Sequence, residues 1–98
     1  MALWIKQGVY GELNREAANG LRKVKVLYQA WNEDLFVTSI REGTHSAVSL
    51  HPQGDAWDMR YPVGKKSSAA VKAIKVRLGE GFDVVPEKDH IHCEYDPK

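Results

Sequence analysis

The stretch FDVVPEKDHIHCEY, residues 82–95, decides how the chain reads as a fold. Phe82–Val85 and Ile91–Tyr95 are rich in β-formers and are joined through Pro86-Glu-Lys-Asp89, so they read as two short strands. Immediately before them, SSAAVKAIKVRL at 67–78 sets Val71, Ile74 and Leu78 at helical spacing. Ser67 or Ser68 is the expected N-cap of that helix and Gly79 its stop. Further upstream, Leu13, Ala17, Leu21, Val24, Tyr28 and Trp31 advance in steps of three and four, which predicts a first helix over 12–32. Gly20 costs that helix up to about 1 kcal/mol against Ala, so either another helix packs closely there or the helix breaks. DLFVTSI at 34–40 reads as a strand, 41–54 as a loop, and Ala56–Tyr61 as a strand stopped by Pro62. The expectation is one α+β domain over 1–98: a small antiparallel sheet of about four strands with an N-terminal helix and a second helix.

Composition narrows the functional classes. The chain has 98 residues, and its 14 Lys+Arg against 13 Asp+Glu give a net charge of +1, which is no electrostatic footprint for nucleic acid. No segment approaches the roughly 20 apolar residues of a membrane span, so no membrane insertion is expected. Met1-Ala-Leu-Trp-Ile-Lys-Gln meets Lys6 too early for the apolar run of a secretory signal, so the chain is expected to be made in the cytoplasm. The single cysteine, Cys93, excludes an internal disulfide and any multi-cysteine zinc or iron–sulfur site. A domain of this size has a thin core, and a bound metal is one recurring supplement to it.

Histidines and acids therefore carry the chemical reading. Alternation along the last strand puts His90, His92 and Glu94 on one face and Ile91, Cys93 and Tyr95 on the other. The second set packs, leaving Cys93 inert in the core. The first needs a polar reason. Two imidazoles and a carboxylate are the usual ligands of a catalytic zinc site, with the fourth position left to water. His51 and Asp58 bracket the turn at Gly54, so a loop histidine and a strand aspartate can converge on one ion, and His92 can close the site from a neighbouring strand.

Ser49-x-His51-x-x-Gly54-x-Ala56-x-Asp58 resembles the S-x-H-x-x-G-x-A-x-D signature of the zinc D-Ala-D-Ala carboxypeptidases. These enzymes and the related bacteriophage L-Ala-D-Glu endopeptidases act on peptidoglycan and share their fold with the Hedgehog signalling domain. Their second element, an acidic residue three positions before a histidine, is similar to Asp89-His90-Ile91-His92. The resemblance runs from Thr38 to Pro97. It implies a Hedgehog/DD-peptidase-like fold and a zinc ion held by His51, Asp58 and His92. Asp89 would be the catalytic base, where many relatives have Glu, and His90 would stand beside the metal and stabilise the transition state. Arg41 looks like the arginine that holds substrate or developing charge in relatives, although Ile40 stands where they often carry an aromatic residue.

Supporting positions are read more simply. Ser49 is expected to orient the His51 loop through a hydroxyl–backbone bond, and Glu94 to pair either with a ligand histidine or with solvent. Trp4, Trp31 and Trp57 are core or rim aromatics, with Trp57 also a candidate lining of the substrate groove, and His45 is loop decoration. The leading expectation is a zinc peptidase cutting an amide bond of the peptidoglycan stem peptide, as a phage lysis enzyme would after release to the cell wall. Whether that bond is D-Ala-D-Ala or L-Ala-D-Glu stays open, as does the oligomeric state. The alternative is a zinc-binding recognition module of the same fold without turnover. An iron(II) oxygenase with a two-histidine, one-carboxylate triad is a third reading, disfavoured by the His51–Asp58 spacing and the small size.

Overall fold

Asn14 begins the first helix by turning its side chain back on it: Oδ1 accepts from the Ala17 amide at 3.0 Å. The same side chain donates through Nδ2 to Asp55 Oδ1, which ties the helix start to the entry of a sheet strand. These contacts belong to a computed structural model that describes residues 3–5, 13–41 and 55–97. Helix α1 spans Arg15–Ala30 and buries Ala17, Leu21, Val24 and Tyr28 of the expected stripe together with Gly20, while Leu13 and Trp31 flank it, partly buried. It is shorter at both ends than the periodicity suggests. Asn14 is spent as a cap, and after Ala30 the chain turns away through Asn32 in the left-handed region at φ 62°.

The strands are β1 (Leu3–Ile5), β2 (Leu35–Arg41), β3 (Ala56–Met59), β4 (Phe82–Pro86) and β5 (Ile91–Tyr95), with α2 (Ser67–Leu78) between β3 and β4. They form one sheet in the order β1-β2-β3-β5-β4. β2, β3, β5 and β4 are antiparallel neighbours, as expected, and β1 adds a parallel edge to β2 that the sequence did not announce. The result is a small α+β fold of two helices and a four-stranded antiparallel sheet extended by one short strand. The loop expected over 41–54 begins with the last residue of β2 and otherwise lies outside the described residues.

Pairing between β2 and β3 slips by one residue. Val37 faces Met59 but Ser39 faces Asp58, so β2 carries a bulge around Thr38. The bulge changes parity within β2: Val37 and Ile40 both turn to the helix side, and Ser39 stands on the opposite face beside Asp58.

Both helices cover one face of the sheet. Val24 and Tyr28 of α1 and Ile74 and Leu78 of α2 meet Trp57, Met59, Ile91 and Cys93 in a single buried cluster. Burying a side chain such as Ile74 fully is worth about 1.5–3 kcal/mol. Helix α1 runs unbroken through Gly20, and the close partner is the sheet rather than another helix. A Cβ there would stand 2.5 Å from Phe82 Cζ and 3.2 Å from Trp57 Cη2. Helix α2 has the expected limits and stops at Gly79, whose φ of 84° suits a residue without a side chain. Its N-cap is Lys66 with no side-chain hydrogen bond; Ser67 and Ser68 lie inside the first turn, a correction to the expected capping. Among the described residues no helix is long and apolar enough to cross a membrane.

Candidate metal centre

Strand β5 alternates as its sequence requires. Ile91 and Cys93 are wholly buried toward the helices, while His92 and Glu94 project from the other face of the sheet. Antiparallel register then sets Asp58 of β3 directly opposite His92. The two side chains meet: Asp58 Oδ1 lies 2.7 Å from His92 Nδ1. On the other edge of the same imidazole, Nε2 lies 2.9 Å from Glu94 Oε1. Asp58 and Glu94 are both buried, at 6% and 3% exposure, so this histidine stands between two carboxylates with little water to separate them.

That arrangement has a chemical consequence. A neutral imidazole carries one N–H and can donate to one carboxylate only; its other nitrogen then presents a lone pair to the second. Protonation of the second nitrogen satisfies both carboxylates, and so does a cation seated at one edge, which accepts both lone pairs that would otherwise repel. The edge shared by Asp58 and His92 fits a metal by donor chemistry, one carboxylate and one imidazole side by side. Tetrahedral ligands at zinc distances stand roughly 3.3 Å apart, so the observed pair needs to open by only about half an ångström.

The acidic residue before β5 and its neighbour lie at the rim. His90 Nε2 is 3.9 Å from Asp58 Oδ2, and its Nδ1 is 2.7 Å from Asp89 Oδ1. Asp89 is exposed, and the hydrogen bond with His90, aided by electrostatic attraction to that ring, holds its carboxyl below the ordinary range. It is therefore a carboxylate at neutral pH, and in this resting arrangement a weaker proton acceptor than an unpaired aspartate.

The structure thus gathers Asp58, His90, His92 and Asp89 at one place. Arg41 ends β2 opposite Ala56, near the site in register; its side chain, like His45, Ser49 and His51, lies outside the described residues. Trp57 is a correction. Its indole is wholly buried on the helix side, stacked edge-on against Phe82 at 6.0 Å, with Nε1–H donating to Met59 Sδ at 3.4 Å. Neighbours along a strand point to opposite faces, so a residue adjacent to Asp58 cannot line a groove beside it. Trp31 is at the rim, as expected, with Lys65 Nζ 4.9 Å over its ring. Cys93 is buried, and burial pushes its thiol far up, consistent with an inert core residue.

One acidic group was not anticipated as a set. Asp83 pairs with Glu94 across β4 and β5, and with Asp96 the three offer oxygens within 4.8 Å of one another, a cluster that can hold a metal ion. Glu94 and Asp96 share a face by simple alternation, but Asp83 joins them only through strand register, which the sequence does not display. Comparison of the chain with protein-family models, with curated proteins and with solved structures found no match.

Proposed function

We propose that the chain is a zinc peptidase of the Hedgehog/DD-peptidase-like kind, hydrolysing an amide bond in the stem peptide of peptidoglycan. The observation that carries this reading is the contact of Asp58 with His92 across β3 and β5, with Asp89 and His90 beside it. Those are the residues that the two signature elements single out. His51, Asp58 and His92 would hold the zinc. Bound there, zinc would make a water acidic near pH 7 and would itself polarise the carbonyl to be attacked.

The chain's own groups do the rest. Asp89, ionised and exposed at the rim, takes the proton of the attacking water and returns it to the leaving amine. His90 and Arg41 stabilise charge on the carbonyl oxygen, where the loss of one such group costs about 3–4 kcal/mol of barrier. Asp58 and His92 owe their fixed separation to a paired register in mid-sheet, which suits a site that must be held rigidly. As a lysis enzyme of a phage, the protein would act on the cell wall after release from the cytoplasm.

The test is incubation of the zinc-loaded chain with purified muropeptides and with defined stem peptides, read by mass spectrometry. Cleavage at one amide bond is expected, abolished by Asp58→Asn and reduced at least about 100-fold by Asp89→Asn. Zinc binding in Asp89→Asn should match the wild type. Muropeptide binding without cleavage in the wild type would move the reading to a recognition module. Absence of both binding and cleavage would overturn it.

A further inference from the structure

We infer that Glu94 is a positioning residue: its buried carboxylate holds His92 with the proton on Nε2, so that Nδ1 is the nitrogen presented to the metal beside Asp58. The inference rests on the metal-centre reading above and adds to it which ring atom binds and what fixes that choice. Each nitrogen of His92 faces a carboxylate, Nδ1 toward Asp58 at 2.7 Å and Nε2 toward Glu94 at 2.9 Å. Only one of the two can carry the N–H of a neutral ring. Geometry decides between them. Asp58 is a ligand in the metal-centre reading and comes from a different strand, and Nδ1 is the ring nitrogen that faces it. Glu94 is two residues along β5 from His92, is 3% exposed, and lies at hydrogen-bond distance from the remaining nitrogen. A metal-bound histidine that gives its other N–H to a carboxylate is fixed in tautomer and orientation and is the more basic ligand for it.

The experiment measures zinc affinity by competition with a chromophoric chelator and follows the His92 ring nitrogens by long-range proton–nitrogen NMR. Wild type should show a metal-bound Nδ1 and a protonated Nε2. Glu94→Ala should lose about 10–100-fold in zinc affinity, and Glu94→Gln, which keeps an acceptor, should recover most of it. Asp83→Asn, altering the neighbouring acidic cluster, should lower affinity by less than Glu94→Ala does. A metal-bound Nε2, or equal affinities in wild type and both Glu94 variants while Asp58→Asn and His92→Asn still abolish binding, would overturn the role of Glu94 and leave the metal centre standing. Zinc binding that survives Asp58→Asn and His92→Asn but fails in Asp83→Asn would place the ion among the acids and overturn both.

Discussion

Gly20→Ala separates the packing described above from ordinary helix behaviour. In an exposed helix interior the substitution stabilises by about 1 kcal/mol, because alanine loses less backbone freedom. Here the new methyl would sit 2.5 Å from Phe82 Cζ, 2.7 Å from its Cε2 and 3.2 Å from Trp57 Cη2, inside the 3.4–4 Å of ordinary contact. Phe82 cannot simply swing clear: its ring packs against Trp57 at 6.0 Å and Tyr95 at 5.3 Å between centroids. Overpacking of this kind costs typically 1–3 kcal/mol, so the net expectation is a loss of about 0–2 kcal/mol. For a domain of this length each kcal/mol lowers the melting temperature by about 4–8 °C. Chemical denaturation of wild type, Gly20→Ala, Phe82→Leu and the double variant gives the coupling directly. Shortening Phe82 should relieve the clash and yield an interaction energy above about 0.5 kcal/mol. A Gly20→Ala protein more stable than wild type by the full helix-propensity gain, with additive effects in the cycle, would refute the close approach of α1 to the sheet.

The remaining predictions concern alkaline stability, the first helix and metal linkage. Burial raises the Cys93 thiol above its ordinary 9.0 and the Tyr28 hydroxyl above its ordinary 10.0, so between neutral pH and about pH 8 these groups leave the folding free energy level, and it should fall as pH rises through 9 and beyond. Cys93→Ala should flatten the first part of that decline, as urea titrations at successive pH values will show, and the native thiol should resist alkylation that the unfolded chain accepts. Asn14→Ala removes the cap bond to Ala17 and the donor to buried Asp55, an expected loss of about 1–2 kcal/mol of unfolding free energy, seen as a lower denaturation midpoint at unchanged m-value. Zinc at 100 times its dissociation constant should stabilise the chain by about 2.7 kcal/mol in thermal melts; a chelator should reverse this and Asp58→Asn abolish it.

What could be read in the sequence follows the reach of each physical signal. Helix α2 and strand β5 were legible to the residue because Val71, Ile74 and Leu78 repeat at the helix period and Ile91, Cys93 and Tyr95 at the strand period. Strand β1 was not, since three residues in parallel pairing leave no alternation to detect and depend on a distant partner, β2. The bulge at Thr38 was equally silent: no glycine or proline marks it, and it exists only as a mismatch with β3. Its effect reaches the face that carries Asp58, because it turns Ser39 rather than Ile40 toward that face.

The candidate site divides along the same line. Alternation alone put His92 and Glu94 on one face, and applied to β3 it would also have sent Trp57 to the core, where it is found. Local periodicity says which side of a sheet a group occupies; it does not say what stands across from it. Asp58 meets His92, and Asp83 meets Glu94, because hydrogen-bond register brings residues far apart in the chain into step. Glu94 shows why that second kind of information matters for chemistry. With His92 on one side and the acids of β4 and the C-terminal end of β5 on the other, it stands between an imidazole and a carboxylate cluster. A cation bound at either place would change the electrostatics of the other. The order in which zinc and a harder cation such as calcium compete for the chain therefore reports which of its two neighbours Glu94 serves.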